Sequence, residues 1–246
     1  METLVGELPT GKTNPAPVIT CWLPEGERTG SSIVILPGGG YGALAEHEAQ
    51  GYAEYFAAAG IASFVVTYRL GTDGFRHPAM LEDAPSARAD KLGLDPQRLG
   101  IMGSSAGGHL ASQALVAWHT YESDVSLRSD FGIMCRPVIA SQGPFVHVGS
   151  MRNLAGQDPS SETLNMLSSD LHVGPDTPSC FLWHTGEDAA VPPENSMLFA
   201  SALRVHGVPF GLHLYGCGQY GLGLATPFDW GDQCLRWIGE VTEWAA

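Results

Sequence analysis

Glycine is placed in this chain in a way that few folds accommodate. Of its 31 glycines, three clusters follow directly on short apolar runs. Gly38–Gly40 and Gly42 follow Ser32–Leu36; Gly103, Gly107 and Gly108 follow Leu99–Met102; Gly216, Gly218, Gly221 and Gly223 follow Phe210–Tyr215. Several runs (SIVIL, and SFVVTY within Ala62–Tyr68) are apolar almost without interruption, as a strand buried on both faces requires. Val18–Leu23, Phe131–Ile139 and Cys180–His184 complete the strand candidates. Between them lie helical patterns at Glu46–Ala59, Gly107–Trp118, Glu194–His206 and Phe228–Trp244. Met197, Leu198, Ala202 and Val205 read as one apolar stripe, with Gly207 as the stop signal. This alternation predicts an α/β protein with a mostly parallel, doubly wound sheet flanked by helices. No repeat, low-complexity stretch or linker interrupts it, so residues 1–246 are expected to form a single domain. In such sheets a ligand binds at the carboxyl ends of the strands. Turns there need residues that tolerate positive φ, and three glycine clusters at equivalent places predict one shared site.

Charge and cysteine content narrow the partners. Twelve Lys+Arg against 26 Asp+Glu leave a formal charge of −14. That argues against nucleic acid, whose phosphates need clustered cations, and against an anionic membrane surface. Five scattered cysteines without a C-x-x-C pair exclude a zinc ribbon or a disulfide scaffold. Four of them are expected to be small core residues, and no metal site is expected. The opening METLVGELPTGKTNP lacks the basic flank and apolar segment of a leader, and no stretch is long enough to span a bilayer. The expectation is a cytoplasmic protein; homo-oligomerisation is left open.

The sharpest local signal is Gly103-Ser104-Ser105-Ala106-Gly107, set between a strand and a helix. In a G-x-S-x-G turn the central serine sits at the apex of a strained strand-to-helix reversal, where small residues two positions away avoid backbone collision. Its hydroxyl is lifted above the sheet edge toward free helix N-terminal amides, which favour developing negative charge. Ser105 is thus the candidate nucleophile, and Ser104 should point elsewhere. Pro37-Gly38-Gly39-Gly40-Tyr41, after Ser32–Leu36, stands where esterases place an oxyanion loop. The amides of Gly39, Gly40 and Ala106 are its candidate donors. A phosphate loop at Pro37–Tyr41 is excluded, because no Gly-Lys-Ser/Thr follows it.

These residues carry a family resemblance. PGGGY at 37–41, EHEAQGYAEYFAAAGIASFVVTYRL at 46–70, FRHPAMLEDA at 75–84 and GLDPQRLGIMGSSAGGHLAS at 93–112 resemble the α/β-hydrolase esterases close to bacterial feruloyl/acetyl and acetylxylan esterases. So do FVHVGSMRNLAG at 145–156 and HTGEDAAVPPENS at 184–196. The resemblance implies an α/β-hydrolase fold. It also implies hydrolysis of short, acetyl-type esters on small molecules or oligosaccharides, such as acetylated xylo-oligosaccharides, with no cofactor. It carries the triad acid over to Asp188, followed by Val191-Pro192, in the chain order Ser…Asp…His; Glu187 is the neighbouring alternative. Tyr41, Phe145, His147 and Tyr220 could form an aromatic rim for a sugar or feruloyl group, although such residues are more often core.

Two features depart from the family. Its last loop reads like Gly-Gly-His-Gly-Phe-Gly-Leu, with histidine as base, whereas here the loop is Gly218-Gln219-Tyr220-Gly221-Leu222-Gly223-Leu224. Only His206 and His213 follow Asp188. The first ends a helix, and the second lies about 7 Å short of its strand's end. His47 and His147 fall in loops facing the site and could assist. A tyrosine, with its ordinary pKa near 10, is ionised in about one molecule per thousand at pH 7. A nearby carboxylate suppresses that further. The expectation is an esterase scaffold with impaired catalysis; the alternative is a non-catalytic carbohydrate-ester binding protein. The second departure is the crossover between Tyr68 and Leu99, where Pro85 leaves only Ser86–Gly93 for a short helix. Asp83 and Arg88 read as surface or capping residues.

Overall fold

A computed structural model describes residues 2–5, 17–84, 98–117, 128–219, 221 and 223–244. Eight strands form one sheet: β1 (Glu2–Val5), β2 (Val18–Trp22), β3 (Ser32–Leu36), β4 (Ala62–Thr67), β5 (Leu99–Ser104), β6 (Phe131–Cys135), β7 (Ser179–Thr185) and β8 (Phe210–Tyr215). Their order is β1-β2-β4-β3-β5-β6-β7-β8. The first two pairings are antiparallel, and every pairing from β4 to β8 is parallel. The loops after β3, β5, β6, β7 and β8 therefore emerge along one edge, where the sequence places its glycine clusters.

All five positions of SIVIL are buried because both faces are covered. Ile33 and Ile35 pack on one side with Tyr52, Ala53 and Phe56 of α1 (Glu46–Ala58) and Trp230, Cys234 and Ile238 of α7 (Trp230–Trp244). Val34 and Leu36 face the other side, among Leu110, Ala111 and Leu115 of α3 (Ala106–Ala117) and Phe199 and Leu203 of α6 (Glu194–Val205). Each such aliphatic or Phe side chain contributes about 1.5–3 kcal/mol by leaving water. Trp183 stacks on Trp230, ring centroids 4.7 Å apart. The Trp230 indole N–H also donates to the Gly223 carbonyl at 3.0 Å, which pins the far end of the loop after β8.

Several boundaries and one helix face differ from expectation. β6 stops at Cys135 rather than at residue 139, because Arg136 takes φ 45° and cannot continue an extended strand. In α6 the buried side chains are Asn195, Ser196, Phe199, Ala200 and Leu203, while Met197 is 42% and Val205 80% exposed. The stripe at 197, 198, 202 and 205 is thus the wrong face: packing selected Phe199 and Leu203 and left Val205 outside. The pattern also missed β1 and three short helices: α2 (Ala79–Asp83), α4 (Val148–Ala155) and α5 (Ser161–Leu167). Asp83 is not a surface residue. It is fully buried and takes the Arg69 guanidinium Nε at 3.0 Å and Nη2 at 2.8 Å, plus the Arg69 amide at 2.8 Å. Arg88 and the short crossover helix lie outside the described residues. Cys21, Cys135, Cys180 and Cys234 are buried and Cys217 is exposed. Among the described residues no helix is long and apolar enough to cross a membrane.

Candidate active site

The turn from β5 into α3 is built as a G-x-S-x-G elbow demands. Ser105 sits at φ 52°, a conformation that is costly for any residue with a side chain. It is held there by its amide donating to the Cys135 carbonyl (3.1 Å) and by its carbonyl accepting from the His109 and Val138 amides (both 3.0 Å). A Cβ on Gly103 would lie 2.1 Å from the Gly107 carbonyl oxygen, and one on Gly107 would lie 2.0 Å from that of Leu36. Only glycine fits either place. Ser104 points away, its hydroxyl donating to Tyr52 Oη at 3.2 Å beneath α1. Ser105 is 1% exposed.

The loop after β3 runs alongside. Gly39, Gly40 and Tyr41 all adopt positive φ (131°, 64° and 59°). Because a peptide is planar, a carbonyl held on one side aims the N–H on the other. The Gly38 carbonyl accepts from the Ala45 amide (2.9 Å), which fixes the Gly39 N–H. The Gly39 carbonyl accepts from Gly42 and Ala43 (3.0 and 3.1 Å), which fixes the Gly40 N–H. Neither N–H has an acceptor among the described residues. Ala106 opens α3, so its N–H has no intrahelical acceptor. Asn153 Nδ2 donates to the Gly40 carbonyl at 2.8 Å and secures the loop from α4.

Asp188 lies just past β7, two strand spacings (about 10 Å) from β5. Its side chain is buried. Oδ1 accepts from the amides of Ala190 (3.0 Å) and Val191 (2.8 Å), while Oδ2 is buried without a hydrogen bond. Behind it, His184 Nε2 stands 3.3 Å from Oδ2 and 2.9 Å from the Val191 carbonyl, and Nδ1 stands 2.8 Å from Ser196 Oγ. A carbonyl only accepts, so Nε2 carries the proton and the Ser196 hydroxyl donates to Nδ1. Glu187, the alternative acid, is exposed and accepts the Gly218 amide at 2.9 Å. That bond ties the turn carrying Asp188 to the loop after β8. Tyr220 itself lies outside the described residues.

The proposed rim is only partly assembled. Tyr41 is fully buried, its hydroxyl 2.6 Å from His109 Nδ1, and so it cannot serve as a platform for a sugar. His109 Nε2 lies 2.7 Å from the Leu167 carbonyl, hence Nε2 donates and Nδ1 accepts from Tyr41. Burial pushes this imidazole down to about 4. His147 and Phe145 are both half-buried on the loop after β6. His147 caps α4, Nδ1 accepting from the Ser150 amide at 3.1 Å, and a Cβ on Gly40 would lie 4.0 Å from its Cε1. Burial lowers its pKa, against an opposing pull from Asp188. With Nδ1 accepting, the neutral ring carries its proton on Nε2 and donates there, which suits a substrate contact and not a base. His47, half exposed, approaches Gly223, where a Cβ would lie 3.2 Å from its Cδ2. His213 stacks on Phe181 at 4.7 Å and His206 caps α6.

Sequence reasoning passed over Asn195, whose Oδ1 accepts from the Ile139 and Ala140 amides (both 2.9 Å) while Nδ2 donates to the carbonyls of Phe145 (2.9 Å) and Pro192 (3.0 Å). It braces the loops after β6 and β7 against each other. It also passed over the Glu48–Arg136 pair, although Glu48 falls inside a motif that carried the resemblance.

A mostly parallel sheet with a serine on a strained strand-to-helix turn at its carboxyl edge defines an α/β-hydrolase fold. Comparison with known proteins specifies it further: the chain belongs to the BD-FAE family, which it matches over residues 21–203. It is 36% identical over 208 residues to endo-1,4-beta-xylanase B of Butyrivibrio fibrisolvens, covering 79% of this chain and 33% of that protein. It is 33% identical over 242 residues to an acetylxylan esterase of Xylanibacter ruminicola, covering 90% and 47%. The chain thus spans between a third and a half of these curated relatives. Among solved structures, an acetyl ester-xyloside bifunctional hydrolase from Caldicellulosiruptor lactoaceticus matches with TM-score 0.85 and 38% identity, covering 96% of this chain and 92% of the other.

Proposed function

We propose that this protein is a serine esterase that removes short, acetyl-type acyl groups from carbohydrate, with acetylated xylo-oligosaccharides as the substrate class. One observation carries the reading: Ser105 is strained at φ 52° beside a loop whose Gly39 and Gly40 amides are aimed and lack acceptors. The names of the xylan-related relatives support the substrate class. Ser105 Oγ attacks the carbonyl carbon and its proton passes to a base. The oxyanion is met by the amides of Gly39, Gly40 and Ala106. The C–O bond to the sugar then breaks, the sugar oxygen takes the proton, and water releases the acyl group from Ser105 by the same steps. Asp188, with Oδ2 buried and unbonded, is the acid that would orient the base.

Tyr220 stands at the base's position in the sequence, so turnover is slow by this reading. Losing a triad base costs on the order of 10⁶ in turnover in a well-studied case, with residual rate left to the oxyanion donors and binding. The same residue favours the second reading, a carbohydrate-ester binding protein without turnover. Hydrolysis of p-nitrophenyl acetate by wild type, Ser105→Ala and Tyr220→His separates them. The esterase reading expects Ser105-dependent turnover and a gain of several orders of magnitude in Tyr220→His. Equal rates in wild type and Ser105→Ala, with no fluorophosphonate labelling, would leave the binding protein.

A further inference from the structure

Two oppositely charged side chains are buried against each other beneath the elbow, and the mechanism above uses neither. Glu48 on α1 has a side chain 4% exposed; Arg136, just past β6, has one that is fully buried; Glu48 Oε1 accepts from Arg136 Nη2 at 2.9 Å. Such a pair contributes little net stability, because desolvation of both charges offsets their attraction and apolar residues of equal volume often serve as well. Its place in the molecule explains it better. Glu48 Oε2 accepts the Gly38 amide at 3.0 Å. A Cβ on Gly38 would fall 2.5 Å from that oxygen and 3.2 Å from Ser105 Cβ, so the carboxylate occupies the side-chain space of residue 38 beside the nucleophile. Arg136 is anchored in turn, its amide donating to the Trp183 carbonyl at 2.9 Å and its guanidinium lying 5.2 Å above the Trp183 ring. The acceptor for Gly38 is thereby tied to β6 and β7.

We propose that Glu48, held by Arg136, is a positioning residue for the oxyanion loop: it fixes the Gly38 amide and so aims the Gly39 and Gly40 N–H groups at the carbonyl oxygen of an ester bound over Ser105. This rests on the esterase reading. Removing Glu48 alone would strand a buried guanidinium without its carboxylate, so both charges are removed together. The Glu48→Gln/Arg136→Met protein keeps an acceptor for Gly38, and Glu48→Leu/Arg136→Met does not. Measurements are kcat and KM for p-nitrophenyl acetate, the rate of Ser105 labelling by a fluorophosphonate, and the melting temperature; Glu48→Gln alone is a third comparison. Deleting one oxyanion donor costs about 10²–10³ in kcat elsewhere. Misaiming two should therefore make the Leu form about 10- to 100-fold slower than the Gln form in kcat and in labelling. KM and melting temperature should stay together. Equal kcat and labelling in the two double variants, in an enzyme that still depends on Ser105, overturn the proposal and leave the esterase reading intact. Absence of any Ser105-dependent labelling or turnover in the wild type removes both.

Discussion

His109 offers a measurement of how firmly α3, the loop after β3 and α5 are joined. Its ring is fully buried, takes the Tyr41 hydroxyl on Nδ1 and gives its Nε2 proton to the Leu167 carbonyl. Burial holds it at about 4, against an ordinary value near 6.5 in the unfolded chain. Above pH 6.5 both states are neutral and the contribution is complete. Between 6.5 and 4 the unfolded chain binds the extra proton, so stability falls as the pH falls. The displacement of about 2.5 pH units corresponds to about 3 kcal/mol of folding free energy. His109→Gln keeps a donor for Leu167 but leaves the Tyr41 hydroxyl without its acceptor, at a cost of about 1–3 kcal/mol. Urea unfolding of both proteins at several pH values from 7.5 to 4 should show the variant less stable at 7.5 and the two curves converging toward 4. Parallel curves would mean that His109 titrates alike in both states, and the account of its burial would fail.

Two further substitutions test other parts of the frame. Gly107→Ala places a Cβ 2.0 Å from the Leu36 carbonyl oxygen and 2.5 Å from that of Pro37, backbone atoms of β3 and its loop that cannot move aside. Soluble Gly107→Ala protein should have lost fluorophosphonate labelling of Ser105 and melt well below wild type; unchanged labelling would show that the elbow has room to spare. Asp83→Asn breaks the buried pair with Arg69, whose side chain is 6% exposed, and should cost about 3–5 kcal/mol in urea unfolding. A loss under about 1 kcal/mol, the range of exposed pairs, would indicate that Glu82 Oε2, already 3.2 Å from Arg69 Nη2, compensates the charge.

The sheet was legible because strands buried on both faces must be apolar throughout: SIVIL, buried at all five positions, is assigned to the residue. The elbow was legible because its backbone admits only glycine at 103 and 107. What escaped was decided by contacts distant in sequence. Tyr41 has the aromatic character of a sugar platform, but its positive φ turns it inward to His109, 68 residues away. Asp83, the last residue of α2, reads as a surface or capping residue until Arg69 is seen folded over it. The short helices α4 and α5 span only eight and seven residues, and their histidine and serine caps emerge only from the hydrogen bonds. Met197 and Val205 satisfied helical spacing on the wrong face of α6, because periodicity identifies a stripe and not which stripe the sheet will cover.

Backbone strain ties these parts together. Among the described residues, only three other than glycine adopt positive φ: Tyr41, Ser105 and Arg136. They follow β3, β5 and β6, adjacent strands at one edge of the sheet. Each costs on the order of 1–3 kcal/mol and persists only where its surroundings leave no alternative. Those surroundings are one another. Tyr41 is held by His109 of the helix that Ser105 begins, Ser105 donates to the carbonyl preceding Arg136, and Arg136 grips Glu48, which holds the loop leading to Tyr41. The chain of contacts closes on itself around the Gly39 and Gly40 amides. Relaxing any one of the three would shift the Gly39 and Gly40 amides and Ser105 relative to each other, so the strain is the cost of a fixed distance between Ser105 and the groups proposed to meet the oxyanion.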